Sequence, residues 1–333
     1  MTRSAPAGTS HASDRVRRAF KAATRGEVDM AVDVGSLRLA NPVMTASGTA
    51  GHADELEAYF PLSALGAVVV KSLSVGPWPG NPAPRVHQTP SGMLNSVGLQ
   101  GPGLEAWLRD DLPRLVGAGA RTVVSLWGHT VDEFAAAASA IAGADGLTAV
   151  EINVSCPNLE DGRRMFAHSA SATANVVGAV GERCPALPRW AKLSPNAADL
   201  PDIAAAAVGA GAEAVTLVNT ALGMVIDVED RRPLLGSGGA GGGLSGAAIH
   251  PIAVRAVYDV RTALPDAAIV GVGGVMQASD AVELLMAGAN AVQVGTATFR
   301  DPRAAFEVLG ELETWCARHG VGAVRELTGA GRG

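Results

Sequence analysis

Short β-branched and aliphatic runs recur along the chain, separated by alanine-rich stretches of helical character. The runs are PVMTA (42–46), AVVVKS (67–72), TVVSLW (122–127), AVEINVS (149–155), RWAKLS (189–194), AVTLVN (214–219), AIVGV (268–272) and AVQVG (291–295). They are near-continuous apolar segments, the pattern of parallel strands buried on both faces. Helices are predicted near 54–65, 103–118, 130–143, 169–183, 199–210, 250–263, 277–287 and 302–319. Eight such βα units in one chain of 333 residues predict a (β/α)8 TIM barrel rather than an open doubly wound sheet. Ahead of the first unit, VDVGSLRL (32–39) alternates about a Gly-Ser turn and reads as a β-hairpin closing the barrel bottom. The organisation expected is a basic N-terminal extension over 1–30, flexible or loosely docked, a barrel over 31–320, and a flexible tail over 321–333.

Composition supports a large core and excludes several classes. Hydrophobic residues make up 48% of the chain and charged ones 17%. A net charge of −6 argues against a nucleic-acid binder, which would carry a basic stripe. No apolar run approaches the roughly 20 residues of a membrane helix. The first thirty residues hold six basic and three acidic side chains and lack the apolar core of a signal peptide. Three cysteines without close spacing give neither a disulfide scaffold nor a typical zinc site, and fit a reducing, cytoplasmic compartment.

In a barrel of this kind the reactive groups follow the C-terminal ends of the strands. Ser47 and Gly48 follow the first run; Lys71 and Ser72 end the second. Asn153 to Asn158, with Cys156 between, end the fourth. Lys192 lies in the fifth, and Asn219-Thr220, Gly273-Gly274 and Gly295-Thr296 end the last three. Two lysines inside apolar strands are costly unless paired, which favours function over a surface role. Gly273, Gly274, Gly295 and Thr296 occupy the two loops where barrels commonly build a phosphate site from backbone N–H groups. GSGGAGGGLSG (236–246) contains a formal GxGxxG, but no strand feeds into it and it is not read as a dinucleotide fingerprint. It is expected to be a flexible loop over a flat ligand, within a lid-like segment 220–246.

The blocks NPVMTASGT, VVVKS, GNPAPRV, GMLNSVGLQ, EINVSCPN, AKLSPN, VNTALGM, GGLSGAAIHPIA, GVGGV and AGANAVQVGTA, in this order over about residues 32–310, resemble the dihydroorotate dehydrogenases. The SCPN cysteine is similar to class 1 rather than class 2, which has serine there, and GGLSG and NTALGM lean toward subgroup 1B. The resemblance implies FMN-dependent oxidation of (S)-dihydroorotate to orotate in pyrimidine biosynthesis, an oxidoreductase reaction on a CH–CH donor. It places the FMN phosphate at Gly273, Gly274, Gly295 and Thr296, and the flavin ring near Ala46, Ser47, Lys71, Ser72, Asn153, Lys192, Val218 and Gly246. Lys71, Asn95, Asn153, Asn158, Asn219 and Thr220 would bond the pyrimidine, with backbone contacts from Val97, Gly98 and Leu99. Cys156 would be the general base that takes the C5 proton as the C6 hydride passes to flavin N5. Lys192 would stabilise the charge gained by the reduced flavin. The 1B likeness implies a separate subunit carrying FAD and an iron–sulfur centre that passes electrons to NAD, in a homodimer or heterotetramer.

Some positions depart from the 1B pattern. Ser125, in SLWGH, stands where an asparagine is usual at the flavin edge; Trp127 and His129 are unusual there, and Gly101 replaces a common asparagine. His129 reads as a second ionisable group or as an idle loop histidine, and Cys184 and Cys316 as inert. Two other functions fit the same blocks: a flavoenzyme acting on uracil or thymine, and a non-catalytic FMN- or pyrimidine-binding barrel.

Overall fold

The computed structural model describes residues 28–155, 165–235 and 241–333. Eight parallel strands form one sheet: β1 (Val43–Thr45), β2 (Val68–Val69), β3 (Thr122–Leu126), β4 (Leu147–Asn153), β5 (Arg189–Lys192), β6 (Ala214–Leu217), β7 (Ala268–Val272) and β8 (Ala291–Val294). Each strand pairs with its neighbours in sequence, and β8 returns to β1. Between β1 and β2 the seam is a single bridge, Met44 to Ala67. The Thr45 hydroxyl completes it, accepting from Val69 N at 2.8 Å and donating to Val69 O at 3.2 Å. The result is the expected (β/α)8 barrel.

Burial explains the strand pattern. β3 is buried at every position, as are β1 and β6, because helices cover the outside and side chains fill the inside. The helix Val131–Ile141 buries Phe134, Ala137, Ala138 and Ile141, a stripe at i, i+3, i+4 and i+7 facing the sheet. Its start is fixed by Thr130, whose hydroxyl accepts from Glu133 N.

Several boundaries move. The strands end two or more residues early after β2, β4, β5 and β6, where the backbone leaves the ladder to form the active-face loops. The helix expected over 54–65 is replaced by two 3₁₀ turns, Glu55–Ala58 and Leu62–Ala64, separated at Pro61, which pushes Phe60 out of helical geometry. The helix expected over 103–118 divides into Leu104–Asp110 and Leu112–Gly117, since Pro113 has no N–H to continue the first helix.

Val32–Val34 and Leu37–Leu39 form the expected hairpin. It covers the barrel bottom: Ser36 N donates to Glu213 ahead of β6, and Arg121 ahead of β3 donates to Arg38 O. Residues 1–27 of the expected extension lie outside the described residues, but Asp29 is fixed by a bridge to Ala323 and an ion pair with Arg325. The flexible tail expected over 321–333 is instead docked. Val324 and Leu327 are buried, Gly329 N and Gly331 N donate to Leu285 O and Met286 O, and Arg332 reaches Tyr258 O.

At the other end stands a four-stranded antiparallel crown in the order Ala221–Gly223, Gly242–Ser245, Gly92–Asn95, Val86–Thr89. The glycine-rich segment, expected as a flexible loop, is therefore partly a central strand of this crown; residues 236–240 lie outside the described residues. Glycine is needed for the close approach. A Cβ on Gly242 would lie 2.3 Å from Asn95 O, and one on Gly243 would lie 2.2 Å from Thr220 Oγ1.

Candidate active site

The strand ends and the crown enclose a cavity of about 380 Å³. Ala46 and Ser47 enter it after β1, Lys71 and Ser72 after β2, and Asn153 from the end of β4. Lys192 comes from β5, Val218, Asn219 and Thr220 follow β6, Gly273 and Gly274 follow β7, and Gly295 and Thr296 follow β8. The crown and its flanks add Asn95, Val97, Leu99 and Gly246. Thus the sequence-predicted residues converge on one space, with two exceptions among the described residues. Gly98 packs against Asn81 instead, at a φ of +72°. Ser125 is fully buried behind Ser72, its hydroxyl 2.8 Å from Ser72 Oγ. Its short side chain supports the lining and does not form part of it. Cys156 and Asn158 lie outside the described residues.

A chain of hydrogen bonds fixes the amides. Asn153 Nδ2 donates to Ser72 Oγ at 3.2 Å, so its Oδ1 accepts from Asn219 Nδ2 at 3.1 Å and from Ser155 N at 3.2 Å. Asn219 Oδ1 accepts from Thr220 N at 2.8 Å. On the crown, Asn95 Nδ2 donates to Gly243 O at 3.1 Å. Asn196, which the sequence reading passed over, is part of the lining and ties β5 to the crown. Its Nδ2 donates to Ser194 Oγ at 2.9 Å and Thr220 O at 3.2 Å, and its Oδ1 accepts from Leu222 N at 2.8 Å. The signal for it was the SPN turn directly after an apolar strand.

The two lysines are held differently. Lys192 is almost wholly buried: Nζ lies 3.5 Å from Glu151 Oε1 and donates to Ser47 Oγ at 3.0 Å. Gln293 on β8 donates to Glu151 Oε2 at 2.8 Å. Glu151 and Gln293 were also missed. Gln293 is the lone polar side chain of β8, and Glu151 is a charge within the apolar run of β4, two residues before Asn153 and hence on the same face. Lys71 contrasts with this. Among the described residues no carboxylate lies within ion-pair distance of its ammonium, and burial, then the charge of Arg85, push its pKa below the ordinary lysine value. A half-hidden cation with no anion beside it among the described residues suits an anionic ligand.

The far end of the cavity is lined by backbone. Gly273, at φ +140°, would set a Cβ 2.7 Å from Ala253 Cβ, and Gly274, at φ +69°, one 2.6 Å from His250 Cβ. These positions accept only glycine. The His250 ring holds the turn from outside, with Nδ1 2.8 Å from Gly273 O. The Thr296 hydroxyl donates to Ser245 Oγ at 2.8 Å. Such a cradle of strand-end glycines fits a phosphate, and the lysine- and amide-lined remainder fits a flat polar ring.

The unusual residues after β3 fall elsewhere. Trp127 and His129 pack edge-on with Trp78, at ring separations of 5.1 to 5.6 Å, outside the cavity lining. Gly101 pairs with Trp78 through backbone hydrogen bonds in both directions. Cys184 and Cys316 are buried, and burial pushes both thiols up, Cys316 to about 11, so neither is a ready nucleophile.

Among the described residues no helix is long and apolar enough to cross a membrane. The family model described as dihydroorotate dehydrogenase matches residues 29–315. A protein of Desulforudis audaxviator is 49% identical over 304 residues, covering 91% of this chain and 98% of its own length. One from Geotalea daltonii is 44% identical over 91% of this chain and 98% of its own, and one from Trichlorobacter lovleyi 44% over 90% and 98%. All three are named dihydroorotate dehydrogenase B (NAD(+)), catalytic subunit. A barrel with this lining, matched from the hairpin to the last helix, belongs to the dihydroorotate dehydrogenase family of oxidoreductases, alongside its B-type catalytic subunits.

Proposed function

We propose that the chain oxidises (S)-dihydroorotate to orotate with bound FMN, and passes the electrons to a separate subunit. The observation that carries this reading is Lys71, a cation without a carboxylate partner among the described residues, sharing one cavity with Asn95, Asn153 and Asn219. Orotate is a flat anion with alternating donors and acceptors. Lys71 supplies charge for its carboxylate, and the amides supply both donors and acceptors for its ring. A site of fixed amides rejects analogues that leave them unpaired. Uracil and thymine lack the carboxylate and would leave Lys71 uncompensated.

The donor set also suits FMN. Gly273, Gly274, Gly295 and Thr296 would hold the phosphate, and Ser47, Ser72 and Lys192 would border the ring. When bound, FMN supplies a two-electron acceptor at N5. The protein positions dihydroorotate between the amides and Lys71, excludes water with the crown, and takes the C5 proton on Cys156. A free thiol titrates near about 8.5, so this base would gain activity through the alkaline range. Among the described residues no set of histidine, cysteine and acidic side chains could hold a metal ion. The relatives' naming as NAD(+)-linked catalytic subunits supports onward transfer to a partner carrying FAD and an iron–sulfur centre, with NAD as the final acceptor, in a heterotetramer.

The test is anaerobic mixing of the purified, flavin-loaded chain with dihydroorotate or dihydrouracil. Dihydroorotate is expected to bleach the flavin and dihydrouracil to leave it yellow; the reverse selects the uracil or thymine reading, and no bleaching with either selects a non-catalytic binder. Cys156→Ala is expected to keep FMN and orotate binding while reduction slows by about 10²- to 10⁴-fold, the range of a lost general base. Near-native reduction in that variant removes Cys156 from the role.

A further inference from the structure

Beneath the cavity floor, three side chains from three strands form a buried set. Glu151 on β4 and Gln293 on β8 are fully buried, and Lys192 on β5 is 4% exposed. Glu151 Oε1 is 3.5 Å from Lys192 Nζ, and Glu151 Oε2 accepts from Gln293 Nε2 at 2.8 Å. The Gln293 amide is thereby oriented so that its Oε1 turns back toward Lys192 Nζ, at 3.5 Å. Of the three, only Lys192 belongs to the cavity lining. Such a set adds little to stability, because taking two charges out of water offsets most of their attraction. Its effect is to fix a charge at a chosen place.

We infer that Glu151 is a positioning residue whose carboxylate keeps Lys192 a charged ammonium throughout the reaction cycle, aimed by Gln293 and Ser47 at the flavin. This rests on the FMN reading above. When bound, FMN would supply the acceptor for the C6 hydride of dihydroorotate, with the C5 proton going to Cys156. The negative charge gained would be bordered by Lys192, which lines the cavity. If Lys192 is already charged, that charge is compensated without a second proton. If Lys192 were neutral beforehand, reduction would draw a further proton onto its Nζ. Among the described residues the groups around Nζ leave Glu151 as its counter-charge: Ser47, Gln293 and the β6 neighbour Thr216 are neutral, and the other titratable group of the cavity lining is Lys71.

Proton uptake is read from how the midpoint potential of the bound flavin varies with pH, measured without substrate by equilibrium dye titration. Uptake of one proton per two electrons changes the redox equilibrium tenfold per pH unit, and uptake of two changes it a hundredfold. The wild-type protein is expected to follow the tenfold slope between pH 7.5 and 9.5. Glu151→Gln, which keeps shape and a hydrogen-bond acceptor for Gln293, is expected to steepen toward a hundredfold, and Glu151→Asp to restore the tenfold slope. A hundredfold slope in wild type overturns the inference even if the variant does not fold. Equal slopes in wild type and Glu151→Gln also overturn it, whatever happens to turnover. Protein that takes up no FMN, seen by absorbance before any titration, fails at the cofactor reading and removes the basis of this one.

Discussion

Lys71 and Lys192 show how one cavity uses the same side chain for two ends. Lys192 has Glu151 as a built-in counter-ion; Lys71 has none among the described residues, and burial depresses its pKa. In the free protein the Lys71 charge is a cost below that depressed pKa, relieved as pH rises through it, because the unfolded chain then holds more protons there. Ligand affinity runs the other way. Orotate needs the ammonium, so its binding is expected to weaken on the alkaline side, starting below the ordinary lysine range. Lys71→Met is expected to bind orotate about 30- to 1,000-fold more weakly, roughly 2–4 kcal/mol for a buried charged contact, and to lose the alkaline limb. Orotate titration of the flavin spectrum against pH reads both; an unchanged limb in the variant would assign it to another group. The lysines were legible in the sequence as charges inside apolar strands. Their different treatment was not, because the Glu151 contact joins two strands and the Arg85 influence comes from the crown flank.

Among the elements, the crown departs furthest from expectation. Its strands come from two distant loops, 86–95 and 221–245, and pair across a sequence gap of about 150 residues, as Asn95 and Gly243 do. Gly243 holds this contact, since a Cβ there would lie 2.2 Å from Thr220 Oγ1 and 2.7 Å from Thr220 Cβ. Gly243→Ala is expected to push Thr220 away, reducing orotate affinity at least about tenfold while FMN stays bound, at a stability cost of about 1–3 kcal/mol. Calorimetric titration of the flavin-loaded variant with orotate checks this, and native affinity would show that Thr220 yields freely. The long apolar strands were readable because burial on both faces leaves a continuous signal. The crown strands are short, half-exposed and glycine-rich, so local pattern alone points to a loop. For the same reason the segment 54–65, interrupted by Pro61, forms turns where alanine and leucine content suggested a helix.

For the molecule as a whole, the two ends of the described barrel close together at its bottom. Asp29 bridges Ala323 and pairs with Arg325, while Val324 and Leu327 are buried in a turn that packs on the helix Ala278–Ala287. Deleting residues 321–333 is expected to cost about 3–6 kcal/mol, from two buried aliphatic side chains at roughly 1.5–3 kcal/mol each. A urea-unfolding midpoint unchanged by the deletion would show that the tail contributes nothing. By itself, the sequence determined the strand count, the order of the βα units and the strand ends that bear chemistry, because each is written in a contiguous run of residues. Only the tertiary structure decided that Ser125 stands behind Ser72, that Glu151 and Gln293 hold Lys192, and that a glycine run becomes a strand over the site. Those are contacts between residues tens to hundreds of positions apart, and they exist only once the barrel has closed.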